Sequence, residues 1–169
     1  MKVYSIKQKT LSISDKYYIY DVNMQPSFEV TSKKLSSLWD CLLGNIISIG
    51  HTLNIKEIGG DSSVVIKKKV RFFSQNYEIY NKNEKLVSIH NQLKSFAPKV
   101  SIDCNKNHYL LKGDIFATTF SIHNKEMETA KIKKSLLSIK DKYKIEIFDE
   151  ANELLCLAIV LILDNSYHQ

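Results

Sequence analysis

Glycine and proline are scarce in this chain of 169 residues, which has five glycines and two prolines. So little of either residue argues against a flexible linker or a disordered segment. Hydrophobic residues make up 44% of the chain and charged residues 25%, as is usual for a globular protein. The length fits a single domain over residues 1–169, large enough to bury a core without disulfide bonds.

Motifs for catalysis or metal binding are also missing. The three cysteines, Cys41, Cys104 and Cys156, lie far apart and form neither a CxxC pair nor a cluster with histidine. The chain contains no HExxH, GxSxG, GxxxxGK[ST] or GxGxxG sequence. Its carboxylates fall mostly in predicted turns, so no acid/base pair can be argued. We therefore expect a protein that is not an enzyme and that needs no cofactor or metal.

Long hydrophobic runs are absent as well. The longest one covers residues 154–163, whereas a membrane-spanning helix needs about 20 apolar residues. The first residues alternate between apolar and polar side chains, unlike a signal peptide. We expect a cytoplasmic location, with attachment to the periphery of a membrane as an option.

The strongest pattern that the chain does contain is a segment that occurs three times without gaps. The copies read IKQKTLSISDKYYIY from residue 6, IKKKVRFFSQNYEIY from residue 66 and IKKSLLSIKDKYKIE from residue 132. Isoleucine, lysine and tyrosine recur at matching positions, which are Ile6, Ile66 and Ile132; Lys7, Lys67 and Lys133; Tyr17, Tyr77 and Tyr143; and Ile19, Ile79 and Ile145. These matches predict an internal repeat.

Within each copy, apolar and polar residues alternate with the period of a β-strand. Polar turns rich in Asn, Asp and Lys separate these strands from further ones, and Gly59-Gly60-Asp61 is typical of a tight hairpin turn. About eleven or twelve strands joined by short turns result. The pattern predicts a mainly β domain, either a closed barrel or a sandwich.

Two segments depart from the strand pattern. Residues 38–47 carry apolar side chains at helical spacing, including Trp39, Leu42 and Ile46, and predict a short amphipathic helix that packs on the domain or on a partner. Residues 149–164 begin with acidic residues, which favour a helix N-terminus, and continue with an apolar run that has no polar face. A buried helix along the axis of a barrel fits this run, and a buried final strand is the alternative.

Taken together, these features resemble the LURP-one-related family, which is grouped with the tubby C-terminal domain and the phospholipid scramblases. The resemblance covers essentially the whole chain. It rests on Tyr4-Ser5-Ile6-Lys7-Gln8-Lys9, Asp15-Lys16-Tyr17-Tyr18-Ile19-Tyr20-Asp21, Ile66-Lys67-Lys68-Lys69 and Asp141-Lys142-Tyr143-Lys144-Ile145. The resemblance implies a closed antiparallel β-barrel of about twelve strands around a hydrophobic C-terminal helix, with the short amphipathic helix of residues 38–47 as an addition.

Candidate binding residues are cations that recur at alternate positions of the repeated strands. They form three lysine rows: Lys7 and Lys9; Lys67, Lys69 and Arg71; and Lys131 and Lys133. The net charge of +6 favours anionic partners. Lysines bind phosphates as point charges, so the rows predict binding of anionic phospholipid headgroups or phosphorylated ligands. Alternatively, outward lysines serve only to prevent edge-to-edge aggregation of strands.

A second hypothesis is a protein-interaction or structural domain without a small-molecule ligand. Its candidate partner surface is the segment that contains Trp39, Leu42 and Ile46. Nucleic acid is a less favoured partner, because no aromatic residues accompany the lysine rows in a known nucleic-acid motif. The sequence does not fix the oligomeric state.

Overall fold

The computed structural model describes residues 1–7, 16–34, 51–71, 74–89, 99–104, 107–114, 118–134 and 141–167. These residues form twelve strands and a C-terminal helix. The strands are β1 (Lys2–Lys7), β2 (Lys16–Tyr20), β3 (Pro26–Lys34), β4 (His51–Glu57), β5 (Ser63–Arg71), β6 (Ser74–Asn81), β7 (Glu84–Ile89), β8 (Lys99–Cys104), β9 (Asn107–Gly113), β10 (Thr119–Asn124), β11 (Met127–Lys134) and β12 (Asp141–Ile147). A short 3₁₀ helix (Glu150–Asn152) leads into α1 (Glu153–Tyr167).

The strands form one closed antiparallel barrel. Each strand pairs with its neighbour in sequence, and β1 also pairs with β12, so that no sheet edge remains. In this closing pair Tyr4 lies opposite Ile145. The barrel alternative is therefore confirmed over the sandwich.

Alternating side chains build the core. In β10, for example, Phe120 and Ile122 are buried while their neighbours Thr119, Ser121 and His123 are partly exposed. The repeated isoleucines face each other inside the barrel, since Ile6 pairs with Ile19, Ile66 with Ile79 and Ile132 with Ile145. β-Branched residues suit such half-buried strands because their side chains pack well on a pleated surface.

Helix α1 fills the barrel. All residues in the range 155–163 are buried and belong to the same core cluster as the inward side chains of the strands. A barrel of eight strands is just filled by its own side chains, so twelve strands leave room for a helix. The helix alternative for residues 149–164 is thus confirmed. The chain turns into the barrel at Asp149, whose carboxylate accepts hydrogen bonds from the Ala151 N–H (3.2 Å) and the Asn152 side chain (2.8 Å).

The barrel has two different ends. The end where α1 begins is called the entry rim, and it carries the connections β2–β3, β4–β5, β6–β7, β8–β9 and β10–β11. The other end, where β1 ends and β12 begins, is called the far rim. A helix with the 15 residues of α1 is about 22 Å long, enough to run from the entry rim to the far rim. In the described part of the chain, no helix is long and apolar enough to cross a membrane.

Candidate anion-binding surface

The two rims differ in charge. Six of the twelve strand ends at the far rim are basic residues: Lys7, Lys16, Lys34, Arg71, Lys99 and Lys134. At the entry rim only one strand end, Lys2, is basic, and two others, Glu57 and Glu84, are acidic. The described members of the predicted lysine rows lie at or beyond the middle of β1, β5 and β11 on the way to the far rim.

Strand β5 carries the row of Lys67, Lys69 and Arg71, but its lysines are already engaged. Both Lys67 and Lys69 are exposed on the outer wall, as predicted. Lys69 Nζ lies 2.7 Å from an Oε2 carboxylate oxygen of Glu78 on β6. Lys67 Nζ lies 4.4 Å from the centre of the Tyr80 ring, and the Tyr80 hydroxyl donates a 2.7 Å hydrogen bond to Glu78. These contacts occupy both lysines.

Glu78 is the centre of this cluster. Hydrogen bonds from Lys69 and Tyr80 lower the pKa of its carboxyl, so the group stays ionised. Lys85 on β7 is also near, at 3.9 Å. One carboxylate therefore compensates part of the positive charge on this side of the barrel, and a phosphate there would have to compete with it.

Strands β9, β11 and β12 carry a second group of lysines, here called the lysine patch: Lys112, Lys131, Lys133 and Lys144. The strand register places the Ser121 hydroxyl of β10 between Lys112 and Lys131. In the next row Lys133 lies directly opposite Lys144. Adjacent strands are about 4.8 Å apart and alternate residues on one strand about 7 Å apart, so neighbouring lysines of the patch are roughly 5–10 Å apart and the whole patch spans roughly 16 Å.

Three members of the lysine patch are available for a ligand. Lys112, Lys131 and Lys133 form no ion pair with any residue in the described ranges. Only Lys144 is paired, through a 2.8 Å contact with Glu146. That contact, with further contributions from Lys133 and Lys131, lowers the pKa of the Glu146 carboxyl. A single carboxylate thus faces four lysines.

Two further lysines occupy inward positions of their strands near the far rim, and neither was among the predicted site residues. Lys68 lies opposite Tyr77 and is only 4% exposed, with its Nζ 5.7 Å from the centre of the tyrosine ring. Lys134 lies opposite Tyr143 in the equivalent position of β11 and β12. Strand alternation alone could have identified both, because each is two residues beyond an inward isoleucine.

Several predicted site residues cannot be placed. Lys9 and the predicted partner segment with Trp39, Leu42 and Ile46 lie outside the described residues. Lys7 and Arg71 are described only as far-rim strand ends, without their side chains. Lys131 and Lys133 are the predicted residues that the structure brings together with new ones, Lys112 and Lys144. The new pair could not be found from the repeat because neither residue belongs to one of its lysine rows.

Histidines and carboxylates do not gather into a metal site. Across the described ranges, no three His, Cys, Asp or Glu side chains are grouped so that they could hold a metal ion. His123 Nε2 lies 2.9 Å from the Ser121 hydroxyl, beside the lysine patch.

Comparison with known proteins connects this fold to one family. The LURP-one-related family model matches residues 2–164. A similar protein of Bacillus subtilis (strain 168), the uncharacterized protein YxjI, is 26% identical over 159 residues, which cover 94% of this chain and 90% of the relative. No solved structure matches the chain significantly.

Proposed function

The chain belongs to the LURP-one-related family, and we propose that it is a non-catalytic domain that binds anionic phospholipid headgroups through its lysine patch. The observation that carries the proposal is a group of lysines that form no ion pair among the described residues: the exposed Lys112 and Lys133 and the partly buried Lys131. Binding at this surface makes the protein a peripheral one on the cytoplasmic face of a membrane. No chemical step is part of the proposal.

The filled interior directs a ligand to the outside of the barrel. Helix α1 occupies the space where many barrels hold a small molecule. The remaining surfaces are the outer wall and the two rims. Of these, the wall of β9–β12 carries the lysine patch, in which Lys112, Lys131 and Lys133 form no ion pair with a described residue.

The spacing of the lysine patch favours a surface with many phosphates over one small phosphorylated ligand. Its lysines are distributed over a convex wall about 14 Å wide, so they can each reach a separate headgroup. A lysine near an anionic membrane contributes about 1 kcal/mol. The four lysines together supply about 4 kcal/mol at most, or roughly a thousandfold in affinity. Binding of this size is reversible and falls with salt.

Two finer proposals accompany the binding function. We propose that the hairpins β1–β2, β5–β6 and β11–β12 are copies of an internal repeat, which the equivalent isoleucine pairs inside them support. We also propose kinship with the tubby C-terminal domain and the phospholipid scramblases. The support is the shared architecture that the resemblance implies, twelve antiparallel strands around a C-terminal helix.

Co-sedimentation with lipid vesicles tests the binding proposal. The wild-type protein is mixed with vesicles of phosphatidylcholine alone, or of phosphatidylcholine with phosphatidylserine, at low and high sodium chloride. The double variant Lys112→Glu/Lys133→Glu reverses two charges in the lysine patch. The matched control is Lys82→Glu/Lys125→Glu, which changes the net charge equally in two exposed turns of the entry rim.

We expect wild type to bind only the vesicles that contain phosphatidylserine, and to dissociate at high salt. The patch variant should lose about tenfold or more of its affinity while the entry-rim control keeps most of it. Equal losses in both double variants would mean that net charge alone governs binding. Absence of binding by wild type, or binding that the patch variant retains, contradicts the proposal. Competition by free inositol phosphates would assign the same lysines to a soluble ligand instead.

A further inference from the structure

Exposed apolar side chains gather at the entry rim, away from the lysine patch. Among the described residues, the large hydrophobic side chains that are at least 41% exposed are Met1, Val22, Met24, Ile58, Met127 and Phe148. All of them lie at the entry rim, on the β2–β3 and β4–β5 turns, at the start of β1 and β11, and just after β12. Isolated exposed hydrophobic residues need no explanation, but a group of them on one surface does.

These residues occupy neighbouring positions in the barrel. Passing from the β4–β5 turn through β3, β2, β1 and β12 to β11 follows the order of hydrogen-bonded strands. We call this group, Val22, Met24, Ile58, Met127 and Phe148, the apolar half-rim. The opposite side of the same rim is different, since the described turn between β6 and β7 presents only the exposed polar residues Asn81, Lys82, Asn83 and Glu84.

Backbone hydrogen bonds hold the turns of the apolar half-rim against neighbouring strands. The Ile58 N–H donates to the Ser27 carbonyl oxygen at 2.9 Å, which fixes the β4–β5 turn beside β3. The Phe148 N–H donates to the Thr129 carbonyl oxygen at 2.8 Å, which fixes the end of β12 beside β11. The apolar side chains therefore extend from a rigid support, as the contact residues of binding surfaces commonly do.

Acidic groups lie among these apolar residues. A pocket of about 180 Å³ opens between the β4–β5 turn and the start of α1. Its wall includes the carboxylates of Glu57, Glu150 and Glu153 and the apolar side chains of Phe28 and Leu154.

Two of the three carboxylates have partners within the chain. Glu150 contacts the amino group of Met1 at 2.9 Å, and Glu153 contacts Lys2 at 2.8 Å. Glu57 forms no ion pair with any described residue. The pocket thus combines an apolar floor with a carboxylate that can still accept a cation.

Apolar side chains beside the carboxylate of Glu57 favour one kind of binding partner. An anionic membrane surface would be repelled by Glu57, the carboxylate that no described residue pairs, and the carboxylates of the pocket would lose hydration against the lipid. A second copy of this chain would bring its lysine patch, whose described neighbours Thr119 and Ser121 are polar and offer nothing apolar to Ile58 or Phe148. A partner segment that carries both apolar and basic side chains complements the surface in both respects.

We propose that the apolar half-rim docks a segment of a partner protein in which lysine or arginine residues alternate with apolar ones. A basic side chain of that segment enters the pocket, with its aliphatic part against Phe28 and Leu154 and its charge beside Glu57. The apolar residues of the segment cover Ile58, Met24 and Phe148. Such a site lies at the end of the barrel opposite the proposed lipid contact, so the domain can hold a partner while it is bound to a membrane.

Fluorescence anisotropy with synthetic peptides tests this proposal. The probe is a short labelled peptide with leucine and lysine in amphipathic order. Two control peptides have glutamate in place of lysine, or serine in place of leucine. The protein variants are Ile58→Ser/Phe148→Ser, which removes apolar area, and Glu57→Gln, which removes one negative charge. Lys82→Asn on the polar side of the rim is the matched control.

We expect the lysine/leucine peptide to bind and both control peptides to bind at least about tenfold more weakly. Each half-rim variant should also weaken binding about tenfold, and Lys82→Asn should leave it unchanged. Circular dichroism establishes that the variants remain folded. Chemical-shift changes in NMR spectra of the complex should concentrate on the turns that contain Ile58 and Met24.

Three outcomes would overturn the proposal. One is absence of binding by the lysine/leucine peptide, or equal binding of the glutamate peptide. Another is concentration-dependent dimerisation in light scattering that Ile58→Ser/Phe148→Ser abolishes, which would assign the surface to a second copy. The third is loss of vesicle binding in that variant, which would assign it to lipid.

Discussion

The hydroxyl of Tyr4 on β1 donates a hydrogen bond to the carboxylate of Glu153, the first residue of α1. The Tyr4 ring also packs edge-on against Phe28 of β3, with 5.6 Å between ring centres. Lys2 binds the other Glu153 oxygen at 2.8 Å. The start of the helix is therefore fixed to the first strand of the barrel, next to the closing β1–β12 pair.

Replacing Tyr4 by phenylalanine should weaken this attachment without changing the packing of the ring. A hydrogen bond to a charged group contributes about 1.5–3 kcal/mol, and Lys2 remains to compensate Glu153 in part. We expect the free energy of unfolding to fall by about 1–2 kcal/mol. Urea denaturation followed by circular dichroism measures the change. An unaltered midpoint would show that the hydrogen bond contributes nothing to stability.

Stability should also decline at alkaline pH. Burial and the hydrogen bond to Glu153 raise the pKa of Tyr4 above its ordinary value of 10.0. Burial also raises the pKa of Tyr109 to about 12 and that of the Cys156 thiol from 9.0 to about 12. Above pH 9 the unfolded chain begins to lose these protons while the folded chain retains them, so unfolding is favoured increasingly as pH rises toward 12.

Urea denaturation at several pH values between 7 and 11 measures this dependence. We expect a constant free energy of unfolding below pH 9 and a progressive loss above it. The double variant Tyr4→Phe/Tyr109→Phe should show a smaller loss above pH 10, because two of the phenols are gone. The same slope in wild type and the double variant would contradict the assignment to these tyrosines.

Tyr109→Phe alone should have the opposite effect to Tyr4→Phe at neutral pH. The Tyr109 hydroxyl is buried, and its approach to the Asn107 side chain does not reach the geometry of a formed hydrogen bond. A buried polar group in this state costs about 1–3 kcal/mol. We expect the variant to be more stable by about 1 kcal/mol, corresponding to a melting temperature roughly 2–4 °C higher. A lower melting temperature would indicate that the hydroxyl is hydrated or bonded in solution.

Whether a feature of the fold could be predicted from the sequence depends on how far apart the interacting residues lie along the chain. Alternation predicted that Lys67, Lys69 and Arg71 share one face of β5, although the inward position of Lys68 was missed. The uninterrupted apolar run after Asn152 predicted a buried element, with the helix and a buried strand as alternatives. Closure of the barrel depends on pairing between β1 and β12, which lie at opposite ends of the chain. Local periodicity is the same in a sandwich, so the sequence alone left both alternatives open.

The candidate site was predicted only in part for a similar reason. Lys131 and Lys133 follow from alternation, but the addition of Lys112 and Lys144 requires the register of β9 to β12. The same is true of the pairing between Lys69 and Glu78. Thr129 shows a limit of alternation, because a register shift after Ile122 buries it next to the buried Ala130 and lets its hydroxyl donate to the Ile122 carbonyl at 2.9 Å.

The lysine patch should reduce the stability of the free protein. Lys133 and Lys144 lie directly opposite each other, and like charges in such positions are unfavourable. We expect Lys133→Gln to raise the free energy of unfolding by about 0.2–1 kcal/mol at low salt, and less at high salt. Lys131 lies opposite Glu146 instead. The matched control Lys131→Gln should therefore lower the free energy of unfolding.

Thermal denaturation at two salt concentrations compares these variants, and vesicle co-sedimentation measures their binding. If the lysine patch binds anionic lipid, Lys133→Gln should bind more weakly although it is more stable. A variant that is more stable and binds equally well would show that the opposed lysines serve no binding role.

Substitutions of the turn residues Met24 and Lys82 can distinguish effects on stability from effects on peptide binding at the apolar half-rim. Both adopt left-handed backbone conformations, with φ of 60° and 52°. This conformation costs about 1 kcal/mol for a residue other than glycine, and asparagine tolerates it better. Met24→Asn and Lys82→Asn should therefore each raise the free energy of unfolding by up to about 1 kcal/mol, and the melting temperature by roughly 2–4 °C.

The two substitutions should differ in peptide binding, because Met24 belongs to the apolar half-rim and Lys82 to the polar side of the same rim. We expect Met24→Asn to weaken the lysine/leucine peptide severalfold while it stabilises the fold, so that unfolding cannot explain the loss. If both variants bind the peptide as wild type does, Met24 is not part of a docking surface; if neither is stabilised, the two left-handed turns carry no strain that asparagine relieves.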